Sequence, residues 1–180
     1  MKEKFGYYIG TCLLIGVLFL LPYVIFENYI DITLKLDVRK CCLPIILVIG
    51  IVMNSFMSRM FNPVKVQVRS KYDLPPNFSC VLIWSEMKKT VRSYGSFLVL
   101  EFKVARDMVG VNFFWVFIIL LCRKSGIPIS EIIAVCLLLV LFGLLSGQAY
   151  LSLLDKYYKK TYDICFIDGI YKKKRMKYAY

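Results

Sequence analysis

Close to the start of the chain lies a long run without a charge, Phe5 to Phe26. At about 1.5 Å per residue, a helix over this run is about 33 Å long and crosses a hydrocarbon core of about 30 Å. Three more uncharged runs follow: Cys41 to Met57, Met108 to Cys122, and Ile132 to Leu154. The run from Met108 is short, and we expect its helix to begin in the residues before it. The sequence therefore predicts four transmembrane helices.

The composition agrees with a membrane protein. Hydrophobic residues make up 59% of the 180-residue chain and charged residues only 20%. A soluble domain of this size could not bury so much apolar surface, so lipid must form part of its solvent. The net charge of +12 then has to be interpreted through the positions of Lys and Arg relative to the predicted helices.

Lys and Arg fall mainly on one side of these helices. The amino-terminal residues, the 58–107 connection and the residues after 154 hold 19 of them, whereas the other two connections hold 5. Basic residues are enriched in cytoplasmic connections, so both termini and the 58–107 connection are expected in the cytoplasm. The positive charge is mainly a topology signal, and direct nucleic-acid binding is not expected.

The predicted fold class is a membrane all-α protein: a four-helix transmembrane bundle with a small cytoplasmic β subdomain. Residues 5–57 carry the first two helices and 108–154 the last two. The 58–107 connection and the basic tail, 155–180, are expected to build the β subdomain together, because an isolated pair of strands would be only marginally stable.

Three segments of the middle connection suggest strands. Val64 to Arg69 alternates between apolar and polar residues, and Phe78 to Trp84 is rich in β-branched and aromatic residues. Phe97 to Val104 can be a third strand, which we favour. The alternative is an amphipathic helix over 85–107 lying on the inner leaflet, because apolar residues also recur there at steps of three and four.

The tail carries a hairpin signal. Asp163 to Ile167 and Ile170 to Lys172 are separated by Asp168 and Gly169. An Asp-Gly pair between two such runs is a strong indication of a tight β-turn.

The sequence offers no enzyme site, and we predict no catalytic residue, metal or cofactor. The chain has no histidine, which is the commonest general base and metal ligand. Its seven cysteines include no CxxC pair, and most lie in or beside apolar runs. Asp107 and Glu131 are expected at helix ends, which would leave no ionisable group at mid-membrane depth.

Six residues are candidates for close helix packing. Small residues four positions apart let helices approach closely, and polar residues in a span can hydrogen-bond to neighbouring helices. The candidates are Gly6, Gly10, Gly143, Gly147, Asn112 and Gln148. They could act within one bundle or between copies in a homo-oligomer, and the sequence leaves both open.

Ten basic residues of the connection and tail are candidates for contact with a protein partner or with lipid. They are Lys65, Arg69, Lys71, Lys88, Lys89, Arg92, Lys172, Lys173, Lys174 and Arg175. Basic clusters next to a membrane segment suit anionic lipid headgroups or acidic protein surfaces.

Two stretches resemble a known family. Phe61-Asn62-Pro63-Val64-Lys65-Val66 opens the middle connection, and the tail runs from Asp155-Lys156-Tyr157-Tyr158 to Gly169-Ile170-Tyr171-Lys172. With the four-span layout, these stretches resemble the membrane component of the Kiwa antiphage system, the KwaA family. The resemblance implies a bacterial inner-membrane protein, a tetramer, that senses phage attack and works with a soluble, DNA-binding cytoplasmic effector. It implies no catalytic residues.

Two functions follow as hypotheses. The first is a non-catalytic, oligomeric sensor or scaffold that couples the membrane to a cytoplasmic effector. The second is a channel or transporter subunit that forms a pore through the oligomer.

Overall fold

The structure is a computed structural model and describes residues 2–26, 29–30, 38–74, 80 and 89–167. This part of the chain forms five α-helices. They are α1 (Lys2–Phe26), α2 (Val38–Met60), α3 (Asn62–Ser70), α4 (Lys89–Leu121) and α5 (Ile129–Tyr162). A π-helical turn, Asp163–Ile167, follows α5 directly. The four uncharged runs form helices as predicted, although α4 begins at Lys89, well before Met108. That they cross a membrane is supported for two or three candidate spans among the described residues and not for four.

The chain divides into two compact units. The bundle unit comprises Met1–Met60 and Lys103–Gln148, and the tail unit comprises Phe61–Phe102 and Ala149–Tyr180. The long helices α4 and α5 each contribute residues to both units.

Two described helices are long and apolar enough to cross a membrane, Ser93–Leu121 and Ile129–Cys165. A bent pair, Pro44–Met60 with Asn62–Ser70, makes a third if it counts as one span. In α1, Tyr8–Pro22 is a shorter apolar stretch. These helices identify the chain as a membrane protein.

In the bundle unit, α1 and α2 pack in opposite directions with glycines at their closest approach. A Cβ atom on Gly16 would collide with the backbone carbonyl of Ile46, and one on Gly50 would collide with the carbonyl of Cys12. The pairs 12–50 and 16–46 run in opposite order along the two helices. Such close backbone contact is available only to glycine.

The other directions in this unit follow from contacts of α4. The Trp115 indole N–H donates to the Phe19 carbonyl at 2.8 Å, and Ile30 forms an isolated antiparallel bridge with Arg123. Phe19 contacts Trp115, and Ile30, which comes later in the chain, contacts the later residue Arg123. The chain therefore runs in the same direction through α1 and α4, and these two helices are parallel. Gly143 and Gly147 of α5 face α4 in the opposite order, as described below, so α5 is antiparallel to α4.

The apolar core of the bundle unit lies mainly between α4 and α5. Its buried members are Ile30, Val111, Trp115, Ile119, Ile132 and Leu139. The outward faces of both helices remain apolar, with Phe117, Leu121, Leu137 and Leu141 exposed. This pattern suits helices whose outer surface meets lipid.

The core of the tail unit is largely aromatic. Phe102 of α4 packs against Tyr150 and Tyr157 of α5, with ring centroids 6.3 and 5.6 Å apart. Phe61 meets Tyr150 edge-on at 5.1 Å. Leu98, Leu154 and Ile164 complete the core, each at most 1% exposed.

The strand predicted for Val64 to Arg69 is wrong, because these residues lie in α3. Pro63 occupies the first turn of that helix, where its fixed φ is favourable. Val68 is buried and Val64, one turn earlier, is half-buried, whereas Val66 is exposed. Val64 and Val68 therefore share one helical face, and the alternation of apolar and polar residues did not reflect a pleated strand.

The strands predicted for Phe97 to Val104 and Asp163 to Ile167 are also wrong. The first segment lies inside α4, where Leu98 and Phe102 are buried one turn apart. The helical state of the alternative prediction is thus confirmed from Lys89 onward, but the helix continues past residue 107 to Leu121. The second is the π-helical turn. Residues 78–84 apart from Cys80, and the rest of the predicted hairpin, lie outside the described residues. Every described residue of the predicted strands is thus helical.

A buried Arg106–Asp107–Asn54 cluster

A charged pair is buried in the middle of α4. Asp107 is fully buried and Arg106 is 6% exposed. The Nε and Nη2 atoms of Arg106 both approach Oδ1 of Asp107 at 2.7 Å. The prediction that Asp107 lies at a helix end is wrong, because α4 already begins at Lys89, well before Asp107.

Asn54 of α2 joins this pair. Nη2 of Arg106 donates to the side-chain oxygen of Asn54 at 2.6 Å and to its backbone carbonyl at 3.4 Å. The cluster therefore links α2 to α4 through a charge-assisted hydrogen bond. Interhelical hydrogen bonding was the role expected for a polar residue in an apolar run.

The electrostatics of the cluster are asymmetric. Oδ1 of Asp107 receives both guanidinium contacts, whereas buried Oδ2 has no hydrogen-bond donor within the described residues. Lys103 lies one turn earlier on the same helix and adds a positive charge near the Asp107 carboxylate. Burying charges is favourable only when they are paired and their remaining lone pairs are satisfied, so Asp107 is the costliest member of the cluster.

The cluster falls within a stretch that is apolar enough to cross a membrane. An 18-residue window that ends at Leu121 begins at Val104 and therefore contains both Arg106 and Asp107. The helix from Asp107 to Leu121 is about 21 Å long. Ionisable residues inside membrane segments usually pair with one another, as here, and mark functional sites.

Sequence reasoning missed this cluster because it counted Asp107 at the end of the third span, whose uncharged run begins at Met108. The signal of the cluster in the sequence was the adjacent opposite charges of Arg106 and Asp107, which can neutralise each other within a helix.

Sequence reasoning also missed three glycines at helix contacts, Gly16, Gly50 and Gly110. Gly110 meets the side chain of Met57. Gly50 has Ile46 and Asn54 four residues away, so the small-xxx-small pattern does not detect it.

Of the predicted packing residues, those on α5 face α4. A Cβ on Gly143 would lie 3.2 Å from the Phe113 ring and one on Gly147 would lie 3.8 Å from Val109. Gly10 has no described atom within 4 Å of its Cβ position. Buried Asn112 donates to the Met108 carbonyl of its own helix at 2.8 Å.

The remaining two packing candidates lie on different helices. Gln148 is exposed on α5, and Gly6 lies in α1.

The predicted basic contact residues occupy several positions. Lys65 and Lys71 are exposed, and Arg69 is half-buried. Lys71 forms an ion pair with Asp155 at 3.8 Å. Lys89 and Arg92 belong to the first turn of α4. Lys88, Lys172, Lys173, Lys174 and Arg175 lie outside the described residues.

Two groups of the tail unit that are not in membrane-spanning segments have raised pKa values. Burial, followed by the hydrogen bond to the Asp155 carboxylate, raises the pKa of the Tyr72 hydroxyl. Burial raises the pKa of the Cys80 thiol, and nearby Arg69 offsets this only in part. Both groups are therefore neutral at physiological pH.

The described residues hold no group of three or more His, Cys, Asp or Glu arranged to bind a metal ion. The buried cluster thus remains the arrangement in this part of the chain with the most distinctive chemistry. Comparison with protein-family models, curated proteins and solved structures finds no match to the chain.

Proposed function

We propose that this protein is a non-catalytic, oligomeric sensor or scaffold of the bacterial inner membrane that couples the bilayer to a soluble cytoplasmic effector. The observation that carries the proposal is the continuity of α4 and α5, which each run as one helix through residues of both compact units. A helix is a stiff element, so a shift of its membrane-embedded turns also moves its remaining turns.

In the proposed topology all four long helices cross the membrane and both termini are cytoplasmic. Its support comes from the helix directions: α1 and α4 are parallel, and α2 and α5 run the opposite way. Alternating directions are what four successive crossings require. Without Arg106, which lies in a candidate membrane helix, 18 of the 19 Lys and Arg remain on that side against 5 on the other, and this distribution favours the cytoplasmic placement of the termini.

The proposed biological role is defence against phage. It is supported by the resemblance of Phe61 to Val66 and of the tail to the membrane component of the Kiwa system. On this proposal the protein assembles as a tetramer, and its cytoplasmic partner is a DNA-binding effector.

The test is affinity purification of the full chain and of a chain ending at Ile167, both extracted in mild detergent. The shorter chain keeps every described residue and loses the basic run from Lys172 to Arg175. We expect a stoichiometric soluble protein with the full chain and its loss with the shorter one. A charge-reduced control changes those four basic residues to Gln in the full-length chain.

Recovery of no stoichiometric partner with any of the three chains would contradict the effector proposal. Plaque counts on a bacterial host that expresses each chain test the defence role separately. Equal counts with and without the full chain would contradict that role.

A second candidate function, a channel or transporter subunit, is favoured by one observation. Arg106 and Asp107 place an ionisable pair inside a candidate membrane helix, and such residues commonly line ion pathways. Ion flux into liposomes containing the purified protein would support this function if Asp107→Asn altered it. Arg59→Gln, at an exposed position, is the control.

A further inference from the structure

The last turns of α5 carry lysines on one face only. Lys156, Lys159 and Lys160 are exposed and follow one another at steps of three and one, which places them on one side of a helix. The opposite side, formed by Tyr157, Tyr158 and Thr161, is buried. These turns are therefore amphipathic, with a basic outer face that we call the lysine face.

Packing fixes which way the lysine face points. The Tyr157 ring lies 5.6 Å from Phe102 and 5.4 Å from Tyr158, and all three belong to the tail unit. Thr161 donates its hydroxyl to the Tyr157 carbonyl at 2.7 Å. Rotation of the helix would expose these buried aromatic rings to water, so the lysines are held on the outside.

The distance along α5 places the lysine face at headgroup depth. The uncharged run from Ile132 to Leu154 spans about 35 Å as a helix, enough for the hydrocarbon core of about 30 Å. Lys156 and Lys160 follow Leu154 by two and six residues, or about 3 and 9 Å. The polar interface on each side of a bilayer is about 5–8 Å thick, so the ammonium groups fall within or beside it.

Two carboxylates, Asp155 and Asp163, lie within one turn of the lysine face. Asp155 forms an ion pair with Lys71 at 3.8 Å and accepts a hydrogen bond from the Tyr72 hydroxyl. Lys156 lies over the Tyr94 ring, 5.9 Å from its centroid. Within the described residues, Lys159 and Lys160 form no ion pair. Their charges are available to an anionic ligand.

We propose that Lys156, Lys159 and Lys160 form a binding surface for the headgroups of anionic phospholipids. The ligand is a phosphodiester that lies at the depth of the lysines because its acyl chains share the core with α5. Each Lys near a membrane surface strengthens attraction to anionic lipid, and its long apolar stem can lie along the helix while the ammonium group reaches the phosphate. This proposal depends on membrane insertion and not on an effector.

The test compares Lys159→Gln/Lys160→Gln with Arg123→Gln/Lys124→Gln. Both variants remove two exposed positive charges, one pair in the last turns of α5 and the other in the connection before its first turn. Lys156 stays in place because it contacts Tyr94. Each purified protein is titrated in detergent with dioleoyl phosphatidylglycerol or phosphatidylcholine, and bound lipids are counted by native mass spectrometry.

We expect the wild-type protein and the Arg123/Lys124 variant to prefer phosphatidylglycerol. In the Lys159/Lys160 variant the affinity for phosphatidylglycerol should fall by roughly 30-fold, with phosphatidylcholine binding unchanged. If the double variant is not monodisperse, Lys160→Gln alone replaces it, with an expected loss of roughly fivefold.

Equal affinity of the wild-type protein for the two lipids would overturn the proposal, as would an equal loss in both variants. Loss of a bound acidic protein from the Lys159/Lys160 variant, with its lipid preference unchanged, would assign the lysine face to a protein partner and also overturn it. Because the titration contains no effector, its failure is distinguishable from failure of the proposed sensor function.

Discussion

The guanidinium of Arg106 donates to the side-chain oxygen of Asn54 at 2.6 Å and thereby links α4 to α2. The same guanidinium neutralises Asp107 at 2.7 Å. One side chain thus performs two tasks, since it compensates a buried charge and connects two helices. Removing it should affect the bundle unit more than the removal of an exposed charge.

We expect Arg106→Met to destabilise the protein by about 3–5 kcal/mol, because it leaves the Asp107 carboxylate buried without its partner. The double variant Arg106→Met/Asp107→Leu should recover most of this loss, since it removes both charges. The measurement is the temperature at which the detergent-solubilised protein loses its monodisperse peak in size-exclusion chromatography. Arg59→Met is the matched control and should change little. A double variant no more stable than the single one would contradict the proposed cause.

The close approach of α1 and α2 predicts that replacing glycine by alanine destabilises the protein at positions 16 and 50 but not at position 10. Gly16→Ala and Gly50→Ala would each force a Cβ into a backbone carbonyl and should cost about 1–3 kcal/mol or more. Gly10→Ala in the same helix meets open space and should be neutral or stabilising by about 0.5–1 kcal/mol. The same thermal assay measures all three. Equal effects at positions 10 and 16 would be inconsistent with the glycine contact.

The raised pKa of the Cys80 thiol predicts slow alkylation. A higher pKa leaves less thiolate at pH 7.5, and burial limits access, so N-ethylmaleimide should modify Cys80 at least about tenfold more slowly than half-buried Cys122. The rate at Cys80 should rise with pH as the thiolate fraction grows. Timed labelling of the native protein followed by peptide mass spectrometry measures both rates. Unfolding in sodium dodecyl sulfate is the control and should abolish the difference.

The proposed topology predicts which substituted cysteines react in intact cells. Ser125 and Ser70 are both exposed, one between α4 and α5 and the other at the end of α3. A membrane-impermeant maleimide should label Ser125→Cys in intact cells and Ser70→Cys only after permeabilisation. Labelling of Ser70→Cys in intact cells would place the middle connection outside and remove the basis for a cytoplasmic effector.

Long uncharged runs predicted the helices well because their physics is local. A run such as Ile132 to Leu154 can satisfy its backbone in lipid only as a helix, whatever its neighbours are. The spacing of small residues also predicted useful packing candidates on α5, where Gly143 and Gly147 face α4.

The middle connection was predicted poorly because short patterns there fit two structures. Val64 and Val68 are separated by four residues, which satisfies a helical face as well as an alternating strand, and packing in the tail unit decides between them. The charged cluster escaped prediction for a different reason. A single-residue hydropathy scale penalises Arg106 and Asp107 separately, whereas pairing with each other and with Asn54 makes their burial possible.

The hydrogen bond from Trp115 to the Phe19 carbonyl joins residues 96 positions apart. At about 5–20 residues per second, a ribosome needs roughly 5–20 s to synthesise the intervening segment. During that interval α1 and α2 can already pair through Gly16 and Gly50. The hydrogen bond to the Phe19 carbonyl can form only after Trp115 has been synthesised. The order of synthesis therefore allows α1 and α2 to pair before α4 is made and can complete the bundle unit.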